Sequence, residues 1–373
     1  MAASFASQWD APVRGLVVTR YEHGLKQGED ARGIKVIEAG HPSPDTASLD
    51  AGAKLLGLAR SLDASETLFC LISGGGSALA AAPWPGLDFG RKRDTANFLL
   101  RAGADIRDIN CVRKHLSGLK GGRLAVAAHP SPVRTLAISD VPGDNIADIA
   151  SGPTLPDCTT QGDALGILER YAYPGIESLQ TVLLNPAAET PKPNDPAFAG
   201  DYAELIATAA TALDAAAAYL QERGYAVLYL GDDLDAEAEA LGREHAELAK
   251  ARVLARERLA ILSGGETRVV LGKSGGRGGR NLEYLSGLAL GLDAYPGISA
   301  LAADTDGVDG HGDHAGGFVL PDLLERGASQ GLSLAQCLHD HDSYRYFDAV
   351  DLLLRTGPTR TNVNDLRVIL CEP

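Results

Sequence analysis

The residues best suited to chemistry lie in glycine-rich runs beside charge and in clusters of aspartate. The stretch Leu71–Leu79, LISGGGSAL, leaves an apolar run through three glycines flanked by Ser73 and Ser77. Glycines after a strand let backbone N–H groups converge on one point, because no Cβ blocks the approach. A helix starting in the Ala-Leu-Ala run beyond Ser77 would add its positive dipole. That is a cradle for an anion, with phosphate the natural guest, although a tight structural turn explains the loop alone equally well. The loop fits neither G-x-x-x-x-G-K-S/T nor G-x-G-x-x-G with a distal acid.

Two further loops combine glycine with positive charge. Arg113–Ala125, RKHLSGLKGGRLA, places Arg113, Lys114, His115, Lys120 and Arg123 around a glycine pair; a solvated helix face is the plain alternative. Gly272–Asn281, GKSGGRGGRN, sets Lys273, Arg277 and Arg280 among five glycines. Ordering so flexible a loop is costly, so it would serve poorly as a mere connection. The planar arginine fork matches carboxylate and phosphate oxygens.

The acids gather at two strand ends. ISDVPGDNIADIASGPT carries Asp140, Asp144 and Asp148; AADTDGVDGHGDHAGG carries Asp304, Asp306, Asp309 and Asp313. Neither has the spacing of an EF-hand loop, whereas a few carboxylates beside phosphate oxygens is how Mg²⁺ is held. Asx turns account for some of these acids but hardly for both clusters. The pairs His311/His314 and His339/His341 lack the partners of a zinc site, and no G-x-S-x-G elbow supports a hydrolase triad.

The elements that must position these groups alternate. Strands are expected at Gly15–Thr19, Lys35–Glu38, Thr67–Ile72, Thr135–Ser139, Leu205–Thr208, Ala226–Leu230, Leu259–Leu262, Arg268–Leu271, Ser299–Ala302 and Arg367–Leu370. Helices are expected at Asp45–Ser61, Gly90–Arg101, Thr160–Tyr171, Thr211–Arg223, Asp235–Leu254 and Asn281–Leu292, with a further helix-compatible start at Met1–Gln8. This alternation argues an α/β protein with mainly parallel sheet. The length of 373 residues suits two domains, and the Pro-rich Asn185–Pro196 is the expected boundary.

Composition narrows the function. A net charge of −15 with scattered Lys and Arg argues against a nucleic-acid partner, so any anion site is local. No apolar run is long enough to span a membrane, and the start does not read as a signal peptide. Five separated cysteines without a CxxC pair read as reduced, in a cytoplasmic protein. Cationic loops, N–H donors and Mg²⁺-binding acids at strand ends are what phosphoryl transfer needs. A nucleotide-dependent kinase fits this inventory best.

The motifs SGGGSAL, VRKHLSGLKGGRLA, SDVPGDNIADIASGPT, LSGGETRVVLGKSGGRGGRNLEYL, ADTDGVDG and TGPTRTNVNDLRVIL, in that order, resemble the glycerate 2-kinases with a MOFRL domain. Members of that family often bear the provisional name hydroxypyruvate reductase. The resemblance implies two α/β domains: residues 1–190, Rossmann-like with α/β/α layers, and residues 197–373, with a mixed sheet and the MOFRL region over about 259–370. It places the active site in the cleft between them. The implied reaction moves the γ-phosphoryl of ATP to the 2-hydroxyl of D-glycerate, with Mg²⁺, giving 2-phosphoglycerate. By the same likeness Arg280 is the catalytic arginine, and Asp140, Asp144, Glu266 and Asp306 are polar site residues. Asp140 and Asp306 are the expected Mg²⁺ ligands. Ser73, Gly74, Gly75, Gly76 and Ser77, with Lys114, Lys120 and Arg277, are expected to hold ATP. The implied partners are D-glycerate and ATP, and a homo-oligomer stays open.

Two departures stand out. The family carries a Gly-Lys-Ala loop just before the helix that Met1–Ala6 resembles, and this sequence begins beyond that lysine. Leu282 stands where the family has Gln. The alternatives are therefore a catalytically impaired binding protein and an NAD(P)H-dependent hydroxypyruvate reductase; the latter lacks a dinucleotide fingerprint after the first strand.

Overall fold

The computed structural model describes residues 1–10, 13–26, 29–270, 275–310 and 312–373. They form two compact units, Met1–Ile206 and Ala207–Pro373.

The first unit opens with helix α1 (Ala2–Ser7), then strands β1 (Leu16–Arg20) and β2 (Lys35–Ala39), which pair in parallel. Helix α2 (Thr46–Arg60) follows because Asp45 accepts from the Ser48 amide while the Ser48 hydroxyl accepts from the Asp45 amide, a reciprocal cap. Strand β3 (Leu68–Ile72) leads into the short helix α3 (Gly76–Leu79). Helices α4 (Phe89–Arg101), α5 (Ile106–His115) and α6 (Arg123–Ala128) precede β4 (Val133–Ile138). Helices α7 (Gln161–Arg170) and α8 (Glu177–Leu183) precede β5 (Tyr202–Ala207). Strands β3, β4 and β5 form a second sheet in that order, with β3 and β4 parallel. Leu56, Leu124 and Val133 pack at one end of one face of this sheet and Ile72, Ala137 and Ile149 at the other end of the same face, whereas Phe69 on the opposite face packs against Phe5 and Trp9. A separate apolar cluster, with Leu99, Ile109, Val112, Leu168 and Leu179, joins α4, α5, α7 and α8.

The second unit holds α9 (Ala209–Gln221), β6 (Ala226–Tyr229), α10 (Ala238–Leu254), β7 (Leu259–Ser263), α11 (Arg280–Leu292) and β8 (Ile298–Asp304). It continues with β9 (Gly316–Val319), α12 (Leu323–Ser329), α13 (Leu334–His339), α14 (Ser343–Ala349), β10 (Leu353–Leu354) and β11 (Asp365–Cys371). Its sheet runs β10-β9-β8-β11-β7-β6. Only β6 and β7 are parallel; β11 lies antiparallel to both its neighbours, β7 and β8. The sheet is buried on both faces. Leu259, Ile261 and Ile369 meet Leu241, Tyr284 and Leu288 of α10 and α11, whereas Ala260, Leu262 and Val368 meet Leu213 and Leu220 of α9. This is the period-two division of a fully covered strand.

The mixed α/β class and most long elements match expectation. Arg268–Leu271 does not: Arg268 makes an isolated bridge to Glu237, and Leu271 lies outside the described residues. The Asn185–Pro196 stretch is folded into the first unit, where Arg123 donates to the carbonyl of the fully buried Ala188 at 2.5 Å. Pro and polar residues there form short 3₁₀ turns capped by Asn185 and Asp195, not a free connector.

Candidate active site

The sheet of the second unit brings three acids to one edge. Glu266 follows the carboxyl end of β7, Asp304 ends β8, and Asp365 begins β11. Because β11 is antiparallel and lies between the other two, its start falls where they finish; Asp365 stands directly opposite Asp304. Arg280, the first residue of α11, reaches all three. Its Nε donates to Asp365 at 2.9 and 3.1 Å, one terminal nitrogen to Glu266 at 2.6 Å, and the other to Asp304 at 2.7 Å. Burial alone would lower the arginine pKa; Asp365, Asp304 and Glu266 together outweigh it and hold the pKa above the ordinary value.

Further groups fix this arrangement. Arg367 donates to Asp365 at 2.7 Å and to the Gly264 carbonyl at 2.8 Å, and Asn281 donates to Asp365 at 2.8 Å. Asp309 caps α11 by accepting from the Asn281 and Leu282 amides, each at 3.1 Å. A Cβ at Gly279 would lie 2.2 Å from that carboxylate, so only glycine admits the cap. Asp306 turns its amide to Asp304 at 3.0 Å.

Acids gather at this centre. Asp304 and Asp365 share Arg280 with Glu266, Asp365 also meets Arg367, and Asp306 and Asp309 lie on the adjoining loop. Burial first, then the charge of Asp306, pushes the Asp304 carboxyl up to about 8, against the pull of Arg280. Burial likewise pushes Asp309 up to about 7. At neutral pH, Asp304 can therefore hold or release a proton.

The glycine loop of the first unit lies at the carboxyl end of β3, as expected for a ligand loop in an open sheet. Gly75 caps α3 with φ +79, a conformation that suits glycine. A Cβ at Gly76 would fall 2.6 Å from the Cβ of Ala150, so the loop rests against the segment after β4. Ser77 and Ser151 hydroxyls lie 2.7 Å apart, Ser151 donates to Asn110 at 3.1 Å, and Asn110 donates to Asp148 at 3.4 Å. Asp144, Ala150 and Ser151 all have positive φ. Strain of this kind persists where surroundings over-determine it, typically at functional loops.

The expected site residues thus divide between the units. Glu266, Arg280 and Asp306 meet in the second; Ser73, Gly74, Gly75, Gly76, Ser77, Asp140 and Asp144 flank the strand ends of the first. Lys114 is buried in an ion pair with Asp157 at 3.4 Å, beside His115 and Thr190. Lys120 is also buried and donates to the Ala80 and Ala150 carbonyls at 3.3 and 3.4 Å. Arg277 is exposed and lies over the Tyr344 ring at 3.9 Å. Lys273 lies outside the described residues. Asp304 and Asp365 were not among the expected site residues. Asp304 stood in a noted acid cluster, but Asp365 is revealed only by the strand register.

Comparison with known proteins agrees with the layout. Residues 1–183 match a family model described as "Domain of unknown function (DUF4147)", and residues 259–365 match the MOFRL family. A protein of Agrobacterium vitis with the provisional name hydroxypyruvate reductase is 44% identical over 99% of this chain and 96% of its own length. The D-glycerate 2-kinase of Thermotoga maritima is 38% identical over 95% of this chain and 83% of its own. A crystal structure of glycerate kinase from Thermotoga maritima superposes with a TM-score of 0.89 at 36% identity, covering 100% of this chain and 88% of that one. By sequence over almost its whole length and by fold, this chain belongs to the glycerate 2-kinase family that carries a MOFRL region.

Proposed function

We propose that the chain transfers the γ-phosphoryl group of ATP to the 2-hydroxyl of D-glycerate, giving 2-phosphoglycerate and ADP. The observation that carries this reading is the Arg280 guanidinium, held by acids from three neighbouring strand ends while 23% of its side chain stays exposed. Such an arginine is preorganised to meet charge spreading over phosphoryl oxygens, and its orientation needs no rearrangement at the moment of reaction. The glycerate kinase names of the relatives supply the acceptor.

The close-set acids Asp304 and Asp306 suit Mg²⁺. Among the described residues no three His, Cys, Asp or Glu groups form a ready-made metal cage. Mg²⁺ in phosphoryl transfer commonly takes only one or two carboxylates, with substrate phosphates and water completing its shell. Asp304 and Asp306 are the groups that would hold it, and it would neutralise charge on the phosphate oxygens. Arg280 orients the transferring group, and Asp365 with Arg367 keeps Arg280 aimed.

Phosphorus NMR of the protein with Mg²⁺, ATP and D-glycerate tests the proposal. A growing 2-phosphoglycerate signal matched by ADP is expected. Absence of any phosphoglycerate, with loss of NADH absorbance on adding hydroxypyruvate, would replace the kinase reading by the reductase.

A further inference from the structure

Three basic side chains of the first unit meet without an acid. Lys92 of α4 donates to the Ala82 carbonyl at 3.4 Å, and Lys120 donates to the carbonyls of Ala80 and Ala150. Ala80 and Ala82 are two residues apart, so both amines are drawn to one short stretch of backbone. Arg113 of α5 completes the group, and its charge is felt by both lysines. Among the described residues none of the three forms an ion pair, and the residues outside that set include no Asp or Glu.

Their neighbours show what a merely structural cation looks like here. Lys114 has Asp157. Arg123 donates to the carbonyls of Lys114, Lys120 and Ala188 and stacks on Trp84 at 4.8 Å. Burial, then the charges of Arg123 and Arg113, pushes Lys92 down to about 7. Burial, then Lys92 and Arg113, pushes Lys120 well below its ordinary value. Clustering like charges away from water is unfavourable, and this chain carries 49 acidic residues that could have supplied a counter-charge. Lys120 is 2% exposed while Lys92 and Arg113 are half-buried, so the group runs from the interior towards the surface. Its donors are also uncommitted: Lys92 gives one hydrogen bond of three, and Arg113 has the whole guanidinium fork to offer.

We propose that Lys92, Arg113 and Lys120 form an oxyanion site beside the glycine loop, taking the phosphoryl or carboxylate group of a small ligand. Position links it to the loop: Ala80 ends α3, and Ala150 touches Gly76. The site does not depend on the kinase reading, since it would bind an oxyanion whether or not transfer follows.

The test is calorimetric titration of the protein with inorganic phosphate, ADP and D-glycerate separately, at pH 7.5, in two buffers of different ionisation heat. An anion raises the pKa of the amines beside it, so binding should take up protons. Lys92→Met and Arg113→Gln should each weaken binding by about tenfold or more, and Lys92→Met should abolish most of the proton uptake. Lys92→Arg should keep the affinity. Without ligand, Lys92→Met should raise the melting temperature, because it removes repulsion from Arg113, Lys120 and Arg123. Competition of phosphate with ADP assigns the site to a phosphoryl group; competition with D-glycerate alone assigns it to a carboxylate. Binding of all three unchanged in Lys92→Met and Arg113→Gln, or a lowered melting temperature in Lys92→Met, overturns the proposal. Phosphate binding that depends on Lys92, together with no phosphoglycerate in the NMR assay, sinks the kinase reading and leaves this site standing.

Discussion

The two units carry opposite kinds of charge at their polar centres. In the second, carboxylates gather around Arg280 and Arg367, and burial raises the pKa values of Asp304 and Asp309. In the first, Lys92, Arg113 and Lys120 gather without an acid, and burial lowers the base pKa values. Neither is what stability alone would select, since buried charge is tolerated best when paired. Each centre has a proposed partner of the other sign: a cation for the acids, an oxyanion for the bases.

The largest effect should come from Arg280. Arg280→Ala removes the group shared by Asp365, Asp304 and Glu266. Loss of a preorganised donor of this kind lowers kcat by roughly two to three decades. Buried acids without a partner should also destabilise the second unit by about 3–5 kcal/mol. Arg280→Lys should recover much of the stability and little of the rate, because an ammonium cannot span three carboxylates. Turnover and thermal unfolding measured on both variants check this. A stable Ala variant with normal rate would remove the contrast between the units.

Next in size are opposite responses to pH. Asp304 and Asp309 titrate near 8 and 7 in the folded chain, above the ordinary 3.8. The folded state then holds protons that the unfolded chain has released; His245 and His314, pushed down to about 4 by burial, act in the opposite sense up to about pH 6.5, so the second unit's net loss of stability falls between about pH 6.5 and 8. Lys92 titrates near 7 when folded, below the ordinary 10.5. There the unfolded chain holds the extra proton, so the first unit gains stability from about pH 7 to 10 and loses it as pH falls back. Trp9 and Trp84, the two tryptophans, both lie in the first unit, so fluorescence-detected urea midpoints follow that unit alone. Amide exchange in α11 follows the other. Slopes of the same sign would contradict the assigned imbalance.

The smallest effect is expected at Ser77. The glycine loop is tied by neutral hydroxyl contacts, Ser77 to Ser151 at 2.7 Å, rather than by ion pairs. Ser77→Ala should therefore lower the stability of the first unit by about 1 kcal/mol, read from the same fluorescence midpoints. A loss as large as that of Arg280→Ala would mean that this loop, too, rests on charge.

How much of this was legible in the sequence follows from the range of each interaction. The glycine loop and Arg280 announce themselves locally, through glycine runs beside charge at strand–helix junctions. Asp365 does not: it lies 85 residues from Arg280, and only the antiparallel insertion of β11 brings it there. Lys92 sits in FGRKRDTANFLLR, which reads as an ordinary solvated helix face until α4 is folded against the backbone near Ala82. Helix α5 was read as a basic stretch because Arg113, Lys114 and His115 mask its apolar side, Ile109 and Val112. The expected strand at Arg268 failed for the converse reason: β-branched residues there found no neighbouring strand to pair with beyond a single bridge.

The position of β11 also governs the order in which the second unit can be assembled. Strands β7 and β8 are separated by only one helix, yet they never pair; each waits for β11, the last described strand to be synthesised. Until it arrives, two apolar strands expose unpaired edges, the condition that invites wrong partners. Chain ends lost to early termination or proteolysis would take Asp365 and the central strand together. Until β11 is made, the second unit lacks both its central strand and the acid that holds Arg280, so its sheet and its candidate site can only be assembled together.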